Sequence, residues 1–236
     1  MALQHTPKQR IYLDYAAATP VCDPARAATS LAFDLLGNPG SIHAEGVHAA
    51  EALETARATL AKHLGVRAHT LVFTSGGTEA NNLAIIGFAR ALKAAGGLKG
   101  AEFLLSSIEH PSVLACANVI TEMGGTVILI PVGETGHIRP ESVEDLVNER
   151  TVFVSVGWGN GETGAIQPLH AISQTVRAKN PAVVMHSDLG QAPLYLASDL
   201  FSIGVHLATL DSSKLYGPRG AGVLFIKDGT RIEPLL

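Results

Sequence analysis

Residues 71–85 read Leu-Val-Phe-Thr-Ser-Gly-Gly-Thr-Glu-Ala-Asn-Asn-Leu-Ala-Ile. A short β-rich run, Leu71–Thr74, ends on a Ser-Gly-Gly-Thr turn, and a helical pattern follows over Glu79–Ala94. Strand, glycine turn and helix make the repeating unit of α/β sheets. Glycines at such a turn let backbone N–H groups approach an anion. The helix N-terminus adds partial positive charge, and Thr78 adds a hydroxyl. Ser75–Thr78 therefore reads as a phosphate cradle, or as a glycine-rich turn with a Ser or Thr cap.

The same switch recurs along the chain. Further β-rich runs lie at Phe103–Ser106, Val127–Pro131, Val152–Val156, Val183–His186, Leu207–Leu210 and Gly222–Ile226, giving seven in all. Helical patterns at Pro111–Met123, Pro140–Asn148 and Leu169–Ala178 separate most of them. Upstream, Ala49, Leu53, Ala56, Leu60 and Leu64 recur at helical spacing, and Gly65 is placed to end that helix. Before it come a leading segment, IYLDYAAATP at 11–20, and a loop at Gly37-Asn38-Pro39-Gly40. Near-continuous apolar strands alternating with helices predict a doubly wound, mostly parallel sheet with helices on both faces. The link between Leu207–Leu210 and Gly222–Ile226 is too short for a crossover helix, which predicts one antiparallel pairing.

Composition narrows the function. The 236 residues are 47% hydrophobic and include 24 glycines, which suits a compact α/β enzyme with many tight turns. The net charge is −4 with no basic block, which argues against nucleic acid as a partner. No apolar run approaches the roughly 20 residues that span a bilayer, and the first ten residues lack the apolar core of a secretory signal. The two cysteines, Cys22 and Cys116, are far apart and in no metal-type spacing, so no metal site and a reducing cytoplasm are expected.

Ligands of open α/β sheets sit at the carboxyl ends of the strands. After the second run comes Glu109-His110-Pro111, whose imidazole can stack on an aromatic ligand or cap a helix. After the fourth comes Gly157-Trp158-Gly159-Asn160-Gly161-Glu162-Thr163-Gly164, where the glycines imply close backbone approach. After the fifth, Asp188 and nearby Gln191 follow. A strand-end carboxylate needs a partner, and a cationic ring nitrogen would be one. After the sixth comes Asp211-Ser212-Ser213-Lys214, whose amine at an apolar strand end can act as a nucleophile towards carbonyls. Each has an ordinary reading as a cap or a solvated side chain. Together on one sheet edge they match what pyridoxal 5'-phosphate needs: donors for its phosphate, a carboxylate for its ring nitrogen, a lysine for its aldehyde.

The motifs LDYAAATP, GNPGSIHAEG, FTSGGTEANNLAI, EHPSVL, GNGETG, HSDLGQA and SKLYGPRGAGVLF, in this order, resemble those of the class V aminotransferase-fold enzymes, and most of all the cysteine desulfurases. The resemblance implies a pyridoxal-phosphate-dependent, fold type I large domain across 1–236, with 1–20 as its leading segment and one antiparallel strand in the sheet. It also implies roles. Lys214 matches the lysine that condenses with the cofactor, and His110 the histidine stacked on its ring. Asp188 matches the carboxylate at the ring nitrogen, Gln191 the partner of the phenolic oxygen, and Gly77 with Thr78 the phosphate turn. Ser213 stands where the family has a cofactor-contacting His, and Asn160 begins a segment that helps hold substrate or cofactor.

The family reaction takes L-cysteine to L-alanine and passes the sulfur through a mobile cysteine to iron–sulfur cluster assembly or thio-modification. Three departures stand out. Asp211 replaces a phosphate-binding Ser, Ser213 replaces the His, and Gly161 replaces a second Asn. The family's C-terminal region, with its substrate arginine and catalytic cysteine, has no counterpart here, and neither Cys22 nor Cys116 matches that nucleophile. The expectation is a homodimer, or a second chain supplying the C-terminal domain, with a sulfur-acceptor protein as a further partner. The alternatives are a non-catalytic relic or binding subunit of the family, and another pyridoxal-phosphate transamination or lyase reaction.

Overall fold

The structure is a computed structural model that describes residues 10–196 and 200–235, with the side chain of Phe201 excepted. Residues 1–9, read above as lacking a secretory signal, lie outside the described residues. The strands are β1 (Leu71–Thr74), β2 (Glu102–Ser106), β3 (Thr126–Ile130), β4 (Thr151–Ser155), β5 (Val184–Asp188), β6 (Leu207–Asp211) and β7 (Gly222–Ile226). The helices are α1 (Asp23–Ala32), α2 (Ala44–Leu64), α3 (Gly77–Ala94), α4 (Pro111–Leu114), α5 (Cys116–Met123), α6 (Pro140–Leu146), α7 (Leu169–Lys179) and α8 (Leu200–Ile203).

Among the described residues the seven strands form one sheet in the order β1-β7-β6-β5-β4-β2-β3. β7 is the reversed strand. It pairs antiparallel with β6, as the short link requires, and antiparallel with β1 on its other side. The remaining neighbours pair in parallel. All strands but β7 therefore point their carboxyl ends to one edge.

Alternate residues of each strand feed opposite faces. Leu104, Val154, Met185 and Ala208 pack with Leu64 of α2, Val143 of α6 and Ile172 of α7. Phe103, Leu105, Phe153 and Leu207 pack with Ala84 and Ile85 of α3 and Ile120 of α5. Burying both faces explains why the strands read as apolar runs without alternation. Cys116 lies in the second cluster, where burial pushes its thiol up to about 11. The helix expected at Pro111–Met123 divides into α4 and α5 around Ala115, which itself keeps right-handed helical dihedrals. Gly65 ends α2 at φ 67°, a left-handed position that favours glycine.

α1 had no counterpart in the sequence reading. It starts on Asp23-Pro24, an ordinary helix-start signal, but it buries none of its residues. Leu13, Phe33, Leu36 and Ile42 are likewise exposed, Ile42 at 99%, so this end of the chain carries an uncovered apolar surface.

Candidate active site

Five strand ends meet at the sheet edge. The tip of β5 supplies Asp188. Its Oδ1 accepts from the Gly190 N–H at 2.8 Å, and its Oδ2 accepts from Asn81 Nδ2 at 2.7 Å. Asn81, on the first turns of α3, is 1% exposed and also donates to Ser112 Oγ at 3.0 Å. Ser112 Oγ stands 2.7 Å from His110 Nδ1, which also accepts the Ser112 backbone N–H at 3.2 Å. The Asn81 donation leaves the Ser112 hydroxyl hydrogen to point at His110. Nδ1 is then an acceptor twice over, which places the ring hydrogen on Nε2 in that tautomer. His110 caps α4 through this contact and keeps an exposed ring face. One polar relay thus runs Asp188–Asn81–Ser112–His110. The Asn81 Oδ1 atom is buried with no hydrogen-bond partner.

Beside the relay, Glu109 is 8% exposed and accepts the Gly157 N–H at 2.6 Å. Burial, with repulsion from Asp188, pushes its carboxyl up to about 8, against the pull of the Gly157 N–H. Sequence reasoning assigned no role to Asn81, Ser112 or Glu109.

Lys214 is the last residue of a 3-10 turn, Ser212–Lys214, at the end of β6. Its Nζ donates to the Ala16 and Ala17 carbonyls at 2.7 and 2.5 Å. Gln191 Nε2 donates to the same Ala16 carbonyl at 2.8 Å. The leading segment is held over this turn by the Thr19 N–H on the Ser213 carbonyl (2.8 Å) and the Cys22 N–H on the Tyr216 carbonyl (2.9 Å). Lys214, Gln191, Tyr15, Asn160 and Gly161 line a cleft of about 280 Å³. The Asn160 amide is engaged within the protein. Nδ2 donates to the Ile108 carbonyl, and Oδ1 accepts from the Glu162 and Thr163 N–H groups and the Thr163 hydroxyl. It shapes the 160–164 turn on the cleft wall. A Cβ at Gly161 would stand 2.8 Å from Gln191 Nε2, so glycine here lets Gln191 lie across the turn.

The glycine turn between β1 and α3 has its donors in use. Gly77 N–H donates to Asp211 Oδ2 at 3.0 Å, and Ser75 N–H donates to Glu79 Oε2 at 2.6 Å. The hydroxyl and N–H of Ser75 hold the Glu79 carboxyl below the usual range. Asp211 Oδ1 accepts from the Ser213 N–H (2.8 Å) and Oγ (2.6 Å). Thr78 is exposed beside this cluster. The two halves of the site therefore differ towards the implied cofactor. Asp188, His110, Gln191 and Lys214 suit a pyridoxal ring, with a carboxylate, a flat imidazole, an amide and an amine at one sheet edge. The cradle does not suit a phosphate, because two of its N–H donors already serve carboxylates.

Gly222 closes the turn from behind. It pairs with Thr74 on one side and Asp211 on the other. A Cβ there would stand 2.5 Å from the Gly76 carbonyl carbon, with backbone that cannot swing aside. Gly222→Ala is expected to cost about 1–3 kcal/mol, read by urea denaturation. A variant as stable as its parent would show that the turn yields freely.

The aminotransferase class-V family model matches residues 11–236. The chain is 35% identical over 230 residues to cysteine desulfurase IscS of Dictyoglomus turgidum, covering 97% of this chain and 57% of that protein. It is 36% identical to cysteine desulfurase IscS 1 of Archaeoglobus fulgidus, covering 95% and 57%. Among solved structures it superposes on a NifS-like protein with a TM-score of 0.91 at 32% identity, covering 96% of this chain and 62% of that one. SspA in complex with cysteine follows at 0.89 and 30%, covering 96% and 65%. The chain thus spans a little over half the length of the curated relatives it matches. The match over 11–236, the fold it shares with the NifS-like protein, and the converging strand-end residues agree: the chain belongs to the class-V aminotransferase family.

Proposed function

We propose that this chain is the cofactor-holding large domain of a cysteine-desulfurase-type protein. The observation that carries the reading is the Asp188–Asn81–Ser112–His110 relay facing the same edge as Gln191 and Lys214. A pyridoxal cofactor supplies an aldehyde and an electron-withdrawing ring. Asp188 is the carboxylate for the ring nitrogen, oriented by Asn81 and Gly190. His110, fixed by Ser112, offers its flat face to the ring. Gln191 is placed to donate to a ring oxygen once it leaves Ala16. Lys214 can condense with an aldehyde only after its amine leaves the Ala16 and Ala17 carbonyls, so parting of the side chain and the leading segment is the first motion required.

The proposed reaction takes L-cysteine and a thiol to L-alanine and a persulfide. The Cβ–S bond breaks and an S–S bond forms, with no net oxidant needed. The relatives named cysteine desulfurase support cysteine as substrate. Cys116 is unfit as the thiol, being 1% exposed with its pKa pushed up, and Cys22, though exposed, does not stand at the position of the family's nucleophile. The thiol is therefore proposed to come from a further segment or a second polypeptide. A second copy or that polypeptide would cover the apolar surface around Leu13, Phe33, Leu36 and Ile42. Among the described residues no helix is long and apolar enough to cross a membrane. Cysteine usage supports a reducing, cytoplasmic setting.

A second reading, a non-catalytic binding subunit of the family, is favoured by the carboxylates seated in the cradle. One experiment separates the two. Pyridoxal 5'-phosphate at saturating concentration is expected to give a visible absorption band that borohydride removes and that Lys214→Ala lacks. A parent protein without the band overturns the cofactor reading and leaves the binding subunit.

A further inference from the structure

We infer that Asp211 is a built-in occupant of the phosphate seat, so that the site takes a pyridoxal-type aldehyde with a free hydroxymethyl tail and gains nothing from a phosphate on it. The inference rests on the proposal that a pyridoxal ring binds at Asp188 and Lys214.

Three observations carry it. First, Asp211 is the last residue of β6 and is held in ladder register opposite Gly222, so its position is fixed by the sheet and not by a loose loop. Second, its carboxylate bridges the two elements that would otherwise close on a phosphate. Oδ2 takes the Gly77 N–H of α3, and Oδ1 takes the Ser213 N–H and hydroxyl ahead of Lys214. A Cβ on Gly77 would stand only 3.0 Å from Oδ2, so nothing fits between them. Third, Glu79 takes the Ser75 N–H of the same turn. The partial positive charge at the start of α3 is thus met by two carboxylates of the chain itself.

The chemistry of the tail follows. A phosphate monoester carries about −1.5 to −2 charges near neutral pH and offers acceptor oxygens. Placed here it would face two anions and find the Gly77 and Ser75 donors taken. A hydroxymethyl group is neutral and brings a donor. Asp211 Oδ2 accepts one hydrogen bond in the structure and keeps a lone pair to receive it.

The test titrates the full chain with pyridoxal and with pyridoxal 5'-phosphate, following the Lys214-dependent band at equilibrium. Once the fraction of free pyridoxal held as its internal hemiacetal is subtracted, here and in every comparison below, the parent is expected to bind the two aldehydes within about threefold of each other. Asp211→Ser and Asp211→Asn, which free the turn from one anion, are expected to favour the phosphate ester by about tenfold or more, the size of one or two charge-assisted hydrogen bonds. A parent that prefers the phosphate ester by about tenfold overturns the inference on its own, whatever the variants do. If neither aldehyde gives the band, the cofactor reading falls, and inorganic phosphate alone still decides the role of Asp211. A rise in melting temperature with phosphate in the Asp211 variants and not in the parent supports it. An equal response in parent and variants, or none in any, overturns it.

Discussion

Near pH 9, Glu109→Gln is expected to be more stable than the parent protein by about 4 kcal/mol, and below pH 5 the two are expected to converge. The sign follows from proton counting. The Glu109 carboxyl titrates at about 8 in the folded chain against 4.5 as its ordinary value, because it is buried and lies near Asp188. Between those values the folded state holds a proton that the unfolded state has lost. The contribution of this group to stability therefore falls as pH rises through the window and is fully lost above 8. Glutamine keeps an oxygen for the Gly157 N–H and cannot ionise, so the variant should show no such fall. On the acid side burial acts oppositely. His186, fully buried between Ser155 and Thr209, is pushed down to about 3, and His206 to about 4 by burial and the nearby Lys227 and Arg177. Both cost stability as pH falls below 6.5, because the unfolded chain takes up the protons first. The parent should thus be most stable near pH 6.5, and the substitution should flatten only the alkaline limb. Urea denaturation from pH 5 to 9 reads both limbs, and parallel alkaline limbs in the two proteins would refute the assignment to Glu109.

That pH dependence could not be read from the sequence, and the reason is general to this fold. The strands were legible because burial on both faces leaves apolar runs that few other structures need. The helices α3 and α7 were legible because each buries one stripe, whereas α2 was read from a helical spacing of which Ala49 and Leu64 are buried and Leu53 and Ala56 are exposed. α1 carries an amphipathic pattern at least as clear as theirs and opens on Asp23-Pro24, so its signal was present and went unread, although none of its residues is buried. Lys214, Asp188, His110 and Gln191 stand out in the sequence as strand-end residues whose chemistry would suit the proposed cofactor. Asn81, Ser112 and Glu109 were hidden for the opposite reason: their meaning lies wholly in tertiary contact. Asn81 sits 31 residues from one partner and 107 from the other. The only trace it leaves is a polar residue beside Ala80 and Ala84 on the buried face of α3. Asp211 was intermediate. Its charge opposes a phosphate on inspection, but whether the side chain turns into the cradle or away depends on the Gly77 and Ser213 donors that the fold brings to it.

Asn81→Asp is expected to lower stability by about 3–5 kcal/mol near pH 8, with part of the loss recovered near pH 5. The substitution adds almost no volume, so packing is not the cause. Asn81 Nδ2 donates to Asp188 Oδ2 at 2.7 Å and to Ser112 Oγ at 3.0 Å. A carboxylate at 81 replaces both donors with an acceptor and sets a second anion against Asp188, with Glu109 already close by. Acid restores a shared proton between the two carboxyls, which is why the deficit should shrink as pH falls. A pure packing defect would be constant with pH. The consequence reaches His110 as well. With an anion at 81, the Ser112 hydroxyl hydrogen has a stronger acceptor than His110 Nδ1 and turns to it, leaving Nδ1 with the Ser112 N–H alone. The His110 imidazole resonances should then move in Asn81→Asp relative to the parent, a change that proton NMR reads directly. A variant that loses stability equally at pH 5 and 8, with His110 unmoved, would show that the relay from Asp188 to His110 is contact without coupling.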